Sequence, residues 1–430
     1  MNKKLFSLLS ILLTIFDSIP CKNLQSFAEK TITTITKDDE QALRNAVDIL
    51  NKNGGAIYIN TPIISISGTT TINLSAKVLG GIIGVKQTNG YYPRIDFKTA
   101  RKVGSMTAGF TISGSNIYMK YLIIENAGGN GIVIRGNNNI LEHIITRYNN
   151  NSGIQLFDKA TLNTLTYCYS YRNIDVKTSY GNNADGFSIK LGSKKITFKY
   201  CFAWDNSNNG WGLYDKESDT NISYINSACW NNGNPDVFTG KYDYDHGQII
   251  DNELWTIQQI ISSDPSFKKN YNNKKFSISN GRINGEKVTD WLNKAYTKMN
   301  GSGFTFGSET TPKNSTVYRK AVDCVAFDHK SKGFDNNNSE RCTGYIDLCV
   351  SFNNNINYQL PYTFEKWIQN LSWNPQKADQ FKQSQVLNSP KNKNDATKAI
   401  YSIRDKIIMN CVENRFNDKV NFDTAIRNLI

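Results

Sequence analysis

Residues 182–214 read NNADGFSIKLGSKKITFKYCFAWDNSNNGWGLY and contain one pattern twice: polar residues, a glycine, a large apolar residue, a variable residue and a second apolar residue. The copies are Asp185-Gly186-Phe187-Ser188-Ile189 and Asn209-Gly210-Trp211-Gly212-Leu213. A turn followed by period-2 alternation is a short strand with one face buried. Two such strands 24 residues apart are successive rungs of a coil, whose polar turn residues stack from rung to rung. Function is expected on the outer face of that stack.

Working outward, Gly131-Ile132-Val133-Ile134 and Gly153-Ile154-Gln155-Leu156 repeat the pattern 22 residues apart, and Gly303-Phe304-Thr305-Phe306 and Gly333-Phe334-Asp335 resume it. A rung of that length fits three short strands joined by turns, hence an all-β, right-handed parallel β-helix. Ile132, Ile154, Phe187, Trp211 and Phe304 should point inward. Val133, Gln155, Ser188, Gly212, Thr305 and Asp335 should form an exposed outer column. Asn130, Ser152, Asp185, Asn209, Ser302 and Lys332, each just before a glycine, form a second exposed column.

The flanks read differently. Lys3 and Lys4 precede an apolar run over 5–16, and Ser26-Phe27-Ala28 has the small-x-small form of a cleavage site. Residues 1–28 therefore read as a secretory signal peptide, and no later stretch is long and apolar enough to span a bilayer. The β-helix is expected over 29–360, with an N-terminal cap over about 31–60 in which Asp38 or Asp39 caps a helix carrying Leu43, Ala46, Val47 and Leu50 on one face. The repeat lapses over about 234–300, where 251–262 and 290–299 look helical. It should end near Asn357. Residues 361–430 read as a helical tail, with Ile400, Ile403, Ile407 and Cys411 at helical spacing.

The net charge of +13 suits an acidic polysaccharide or another anionic surface. No Lys/Arg-rich block is present, so nucleic acid is not the expected partner. Of eight cysteines, Cys168, Cys201, Cys324 and Cys349 each stand five residues before Asn173, Asn206, His329 and Asn354. Ile144/Asn149 and Asn226/Asn231 fit the same register. That pattern predicts a stack of buried thiols beside an asparagine ladder, with His329 structural.

The NNADGF segment, followed by CFAWDNSNNGWGLY over 201–214, GSGFTFG over 301–307 and CVAFDHKSKGFDNN over 324–337, resembles the family 9 polysaccharide lyases. These are exported pectate lyases built as right-handed parallel β-helices. The resemblance implies β-elimination of a uronate chain, in which Ca²⁺ neutralises the carboxylate beside the departing proton and a lysine takes that proton. The family's calcium ligands fall at Asp185, Asn208, Asn209 and Gly212, and its base falls at Thr305. Asp185 alone keeps the family's residue, so calcium affinity is expected to be weakened or lost, and Thr305 has no basic group. Lys190, or Lys332 on a later rung, is the alternative base. Ser188, Lys190, Tyr214, Ser302, Lys332 and Asp335 are the expected substrate contacts, and Asp335 with Glu309 could supply carboxylates for hydrolysis. Two functions stay open: a secreted, monomeric pectate lyase-like enzyme acting on acidic polysaccharide, and an inactive β-helix protein that binds glycan or a surface through the same groove.

Overall fold

The computed structural model describes residues 30–68, 70–88, 90–97, 108–175, 180–214, 221–235, 237, 268–272, 275–279, 282–283, 286–307, 317–337, 342–361, 364–381, 388–410 and 426. The expected signal peptide, the 251–262 helix and Glu309 lie outside them.

The chain coils into a parallel β-helix. One face is a ten-stranded parallel sheet: β1 (Ile72–Leu74), β2 (Ala108–Ile112), β3 (Asn130–Ile134), β4 (Ile154–Leu156), β5 (Phe187–Lys190), β6 (Trp211–Tyr214), β7 (Phe304–Thr305), β8 (Lys332–Asp335), β9 (Ile356–Leu360) and β10 (Gln380–Phe381). Two further ladders complete each rung. Thr164–Thr166, Ile196–Lys199, Asn221–Ile225, Val317–Val322 and Cys342–Asp347 make one. Tyr169–Tyr171, Phe202–Trp204, Ala228–Trp230, Val325–Phe327 and Val350–Phe352 make the other.

The alternation predicted from the sequence sets the interior. Phe187, Trp211, Phe304, Phe334 and Tyr358 stack up the core with successive ring centroids 5.0, 4.5, 5.1 and 5.0 Å apart. That spacing is the rung height, so each ring packs on its neighbour's face and brings a large apolar area out of water. A second aromatic stack lies outside the coil, running Tyr171, Trp204, Trp230, Phe327 and Phe352.

Both ends follow from local sequence. Helix α1 (Glu40–Asn53) is capped by Asp39, whose carboxylate accepts the Ala42 N–H at 2.9 Å, and it buries Leu43, Ala46, Val47 and Leu50. This covers apolar surface at the first described rungs. In the lapse of the repeat, helix α2 (Val288–Lys298) matches the predicted 290–299 segment. Helix α3 (Lys393–Asn410) lies along the flank, where Ile400 and Ile407 join the outer aromatic cluster.

Two expectations need correction. The repeat does not end near Asn357, because Lys366–Ile368 and Leu371–Trp373 continue both side ladders and β10 extends the site-bearing sheet. The aromatic-rich stretch after Pro361 is thus another rung: Trp367 pairs with Ile346, and Trp373 with Phe352. The thiol and asparagine columns also slip by one residue on one rung. Ser227, not Asn226, follows Cys201, since its Oγ accepts the Cys201 N–H at 3.1 Å. Asn232, not Asn231, continues the ladder from Asn206 at 3.0 Å. Asn226 and Asn231 instead hold the left-handed corners, with φ of 48° and 50°, in line with Tyr200 and Asp205 on the rung before. Asparagine tolerates that conformation better than most residues.

Elsewhere the columns run as read. Asn149, Asn173 and Asn206 bond in series at 2.9 Å per step. His329 continues the series, its Nδ1 accepting the Asn232 N–H at 3.2 Å, and Asn354 follows. Burial holds the His329 imidazole down at about 3, so it stays neutral. The six described cysteines are free and buried.

Candidate functional site

The site sits where β5, β6, β7 and β8 follow one another. The residue before each rung's glycine offers its carbonyl to the previous rung's glycine N–H. Gly153 donates to Asp185, Gly186 to Asn209, Gly210 to Ser302, and Gly303 to Lys332, over 2.7–3.0 Å. This ladder fixes the pre-glycine column predicted from the sequence, one residue per rung about 4.8 Å apart.

That column and the outer strand column frame a groove of about 460 Å³. Its walls include Asp185, Lys190, Asn208, Asn209, Tyr214, Ser302, Lys332 and Asp335. Eight residues singled out from the sequence are therefore brought together. Asn182, Asn183, Asn300, Ser331 and Asn337 also line the groove and were not anticipated. Asn182, Asn183, Ser331 and Asn337 stood inside the family-like motifs without being singled out, and Asn300 was signalled only by polarity in the turn before Gly301.

Both columns were expected to be exposed, and the structure corrects this. Asp185, Ser188, Ser302, Thr305 and Asp335 all bury more than nine-tenths of their surface. At rung spacing, stacked side chains roof one another, and short polar groups turn onto neighbouring backbone or neighbouring side chains. Asn209 and Lys332 are half-buried, and Tyr214 is 45% exposed at the rim beside Lys190, with which it pairs in register.

Asp185 decides the chemistry. Its Oδ1 accepts the Asn208 side-chain amide at 2.9 Å and the Asn209 backbone N–H at 3.1 Å. The carboxylate lies directly over Gly212, where an added Cβ would come within 2.2 Å of Oδ2 and 2.5 Å of Oδ1. The space in which the next rung would carry a side chain is filled by Asp185. Burial pushes its carboxyl above the ordinary range, and the nearby Lys190 ammonium and Asn209 N–H offset this only partly.

A calcium ion needs six to eight oxygens converging on one point. Here N–H donors converge on one carboxylate, and position 212 has no side chain and no room for one. The residues present do not fit the ion.

Thr305 offers no base. Its hydroxyl donates to the Trp211 carbonyl at 2.7 Å and accepts the Leu213 N–H at 2.9 Å, so it serves as a backbone brace between β6 and β7. Ser188 lies buried in β5 and is not part of the groove wall.

The upper end carries an ion pair. Lys332 Nζ stands 3.1 and 3.2 Å from the two oxygens of Asp335, which also accept the Asn337 N–H at 2.8 Å and the Ser302 hydroxyl at 3.3 Å. Among the described residues, the Lys190 ammonium makes no hydrogen bond or ion pair, leaving it the groove's available cation.

Comparison with known proteins agrees with this fold. A model of the Pel9A-like, right handed beta helix region matches residues 28–247. Pectate lyase L of Paenibacillus polymyxa (strain SC2) is 28% identical over 256 residues, covering 56% of this chain and 56% of that protein. Pectate lyase L of Dickeya chrysanthemi is 28% identical over 251 residues, covering 58% and 44%. The chain thus spans about half the length of the curated relatives it matches. Among solved structures, the crystal structure of pectate lyase Pel9A gives a TM-score of 0.53 at 22% identity, over 81% of this chain and 72% of that one. At that identity the likeness carries the fold. Among the described residues, no helix is long and apolar enough to cross a membrane.

Proposed function

This chain belongs to the Pel9A-like right-handed β-helix family, and from that premise we propose that it is an exported, monomeric protein whose groove binds acidic polysaccharide of the pectate type without calcium. The observation that carries this reading is the groove itself. A calcium shell would need oxygens around the centre; this groove presents the Lys190 ammonium, amide-bearing Asn208 and Asn209, and Tyr214 at its rim. An ammonium neutralises a uronate carboxylate by direct ion pairing, and amides complete the hydrogen bonds to it. An exposed tyrosine supplies a flat apolar face for a sugar ring. Export rests on the charged and apolar N-terminal residues, and the glycan class on the relatives' names together with the net charge of +13.

The test is the affinity for polygalacturonate oligomers in chelator, measured by titration calorimetry, with ultraviolet absorbance followed for an unsaturated uronide product. Binding without absorbance is expected, and Lys190→Ala should weaken it about tenfold, the loss of roughly 1.4 kcal/mol. Undiminished affinity in that variant would reject the assigned contact. Absorbance that required calcium would reject the reading as a whole.

A further inference from the structure

The groove holds two buried carboxylates, and their relation is a consequence of strand register. Ser188 pairs with Gly212, Trp211 with Phe304, and Thr305 with Asp335. Gly212, Thr305 and Asp335 therefore climb the outer column one rung at a time. The Asp185 carboxylate has swung up over Gly212, one rung above its own backbone. Asp335 accepts the Ser302 hydroxyl from the rung below, 3.3 Å away, while Lys332 and Asn337 hold it from its own rung. The two carboxyl groups end up between one and two rungs apart, roughly 5–10 Å at 4.8 Å per rung.

Their surroundings differ in kind. On Asp185 both described donors converge on Oδ1, so Oδ2 is the oxygen placed to carry a proton, and burial favours that protonated form. Asp335 is an ion pair with Lys332 at 3.1 Å. Two carboxyls in one groove, one whose burial favours the acid and the other ion-paired with a lysine, make an acid–base pair. Their separation brackets the gap of about 6.5–9.5 Å that leaves room for a sugar and an attacking water. Elimination, by contrast, needs a base beside the uronate C5 proton; the Thr305 hydroxyl is committed to backbone on both sides, and the Lys190 ammonium is assigned above to the substrate carboxylate.

Resting on the binding reading above, we propose that this groove hydrolyses the glycosidic bond of its bound acidic glycan with inversion of configuration, Asp185 acting as acid and Asp335 as base. Asp185 Oδ2–H gives its proton to the glycosidic oxygen as the bond from that oxygen to the anomeric carbon breaks. Asp335 takes one proton from a water whose oxygen bonds the anomeric carbon from the opposite face. One water is consumed, one reducing and one non-reducing end appear, and no double bond forms. The proton on Asp335 returns to Asp185 through solvent.

The experiment starts from a panel of uronans: polygalacturonate, alginate, hyaluronan and unsulfated heparosan. Any that the wild-type protein binds in chelator is incubated with it, and three products are read. These are reducing ends, ultraviolet absorbance, and the anomer formed first, by proton NMR. Reducing ends without absorbance, with the inverted anomer first, are expected. Asp185→Asn and Asp335→Asn should each slow release at least a hundredfold, the scale of acid–base contributions.

The wild-type product analysis does not depend on whether those variants fold. Absorbance accompanying the new ends would mean elimination and overturn the proposal. So would first formation of the retained anomer. Binding with no cleavage of any bound glycan would overturn hydrolysis and leave the binding reading standing. Failure to bind every uronan would remove both.

Discussion

Replacing Gly212 with alanine tests whether the Asp185 carboxylate occupies the neighbouring rung. The new methyl would fall within 2.2, 2.3 and 2.5 Å of Oδ2, Cγ and Oδ1, more than 1 Å inside ordinary contact, so the carboxylate must rotate away. Rotation gives up the bonds from Asn208 at 2.9 Å and Asn209 at 3.1 Å. Leaving a buried polar group without its hydrogen bonds costs about 1–3 kcal/mol per group. Partial recovery through solvent in the open groove reduces the pair to about 1.5–3 kcal/mol in total. Against this, alanine in place of glycine in an extended strand gains about 0.5–1 kcal/mol through the unfolded chain. The net destabilisation should be about 1–2 kcal/mol. In an Asp185→Ala background the clash is absent, and the same substitution should become neutral or mildly stabilising. Urea unfolding of the four proteins at equal m-value gives the coupling directly. We expect about 1.5–3 kcal/mol. A coupling below about 0.5 kcal/mol would show that the carboxylate does not lie over Gly212, and the case against calcium at that position would fall with it.

Two further outcomes follow from the ladder and the core. His329 has its folded pKa held to about 3 by burial, below the usual 6.5. Its contribution is therefore complete above about pH 6.5 and is lost as pH falls toward 3. Between pH 7.5 and pH 5 that loss is about 2 kcal/mol. His329→Asn extends the asparagine ladder with a group that does not titrate, so urea unfolding should show stability shifting by that amount in the variant's favour on acidification; an unchanged difference would contradict a neutral, structural His329. Trp211 is fully buried between Phe187 and Phe304 at 5.0 and 4.5 Å. Trp211→Ala should cost about 3–5 kcal/mol by the same method, and a loss under about 1 kcal/mol would mean that the rings do not form a continuous core.

Much of the coil was legible because its signals are local. The glycine with alternating apolar residues at 131, 153, 186, 210 and 303 reads as one strand per rung whatever surrounds it. The Asp39 cap and the apolar face of α1 depend on no distant contact. The asparagine ladder was legible in spacing but not in phase. Asn226/Asn231 and Ser227/Asn232 both satisfy a five-residue step, and asparagine suits a left-handed corner as well as a ladder. The last rung escaped notice because Trp367 and Trp373 pack one on the inner and one on the outer aromatic cluster, so the segment lacks the glycine signature. At the site, the sequence located the residues but not their conformations. That Asp185 swings over Gly212 and Thr305 braces backbone depends on how side chains fill space across rungs. A glycine in a column that otherwise carries side chains was the one hint that something else fills the gap.

The central claim is that this groove neutralises a uronate with the Lys190 ammonium and not with calcium. Titrating polygalacturonate oligomers into the protein in excess calcium and again in excess chelator tests it most directly. The account predicts the same affinity under both conditions, weakening with added salt as ion pairing is screened. Affinity that appears only with calcium, or is lost on chelation, would contradict it.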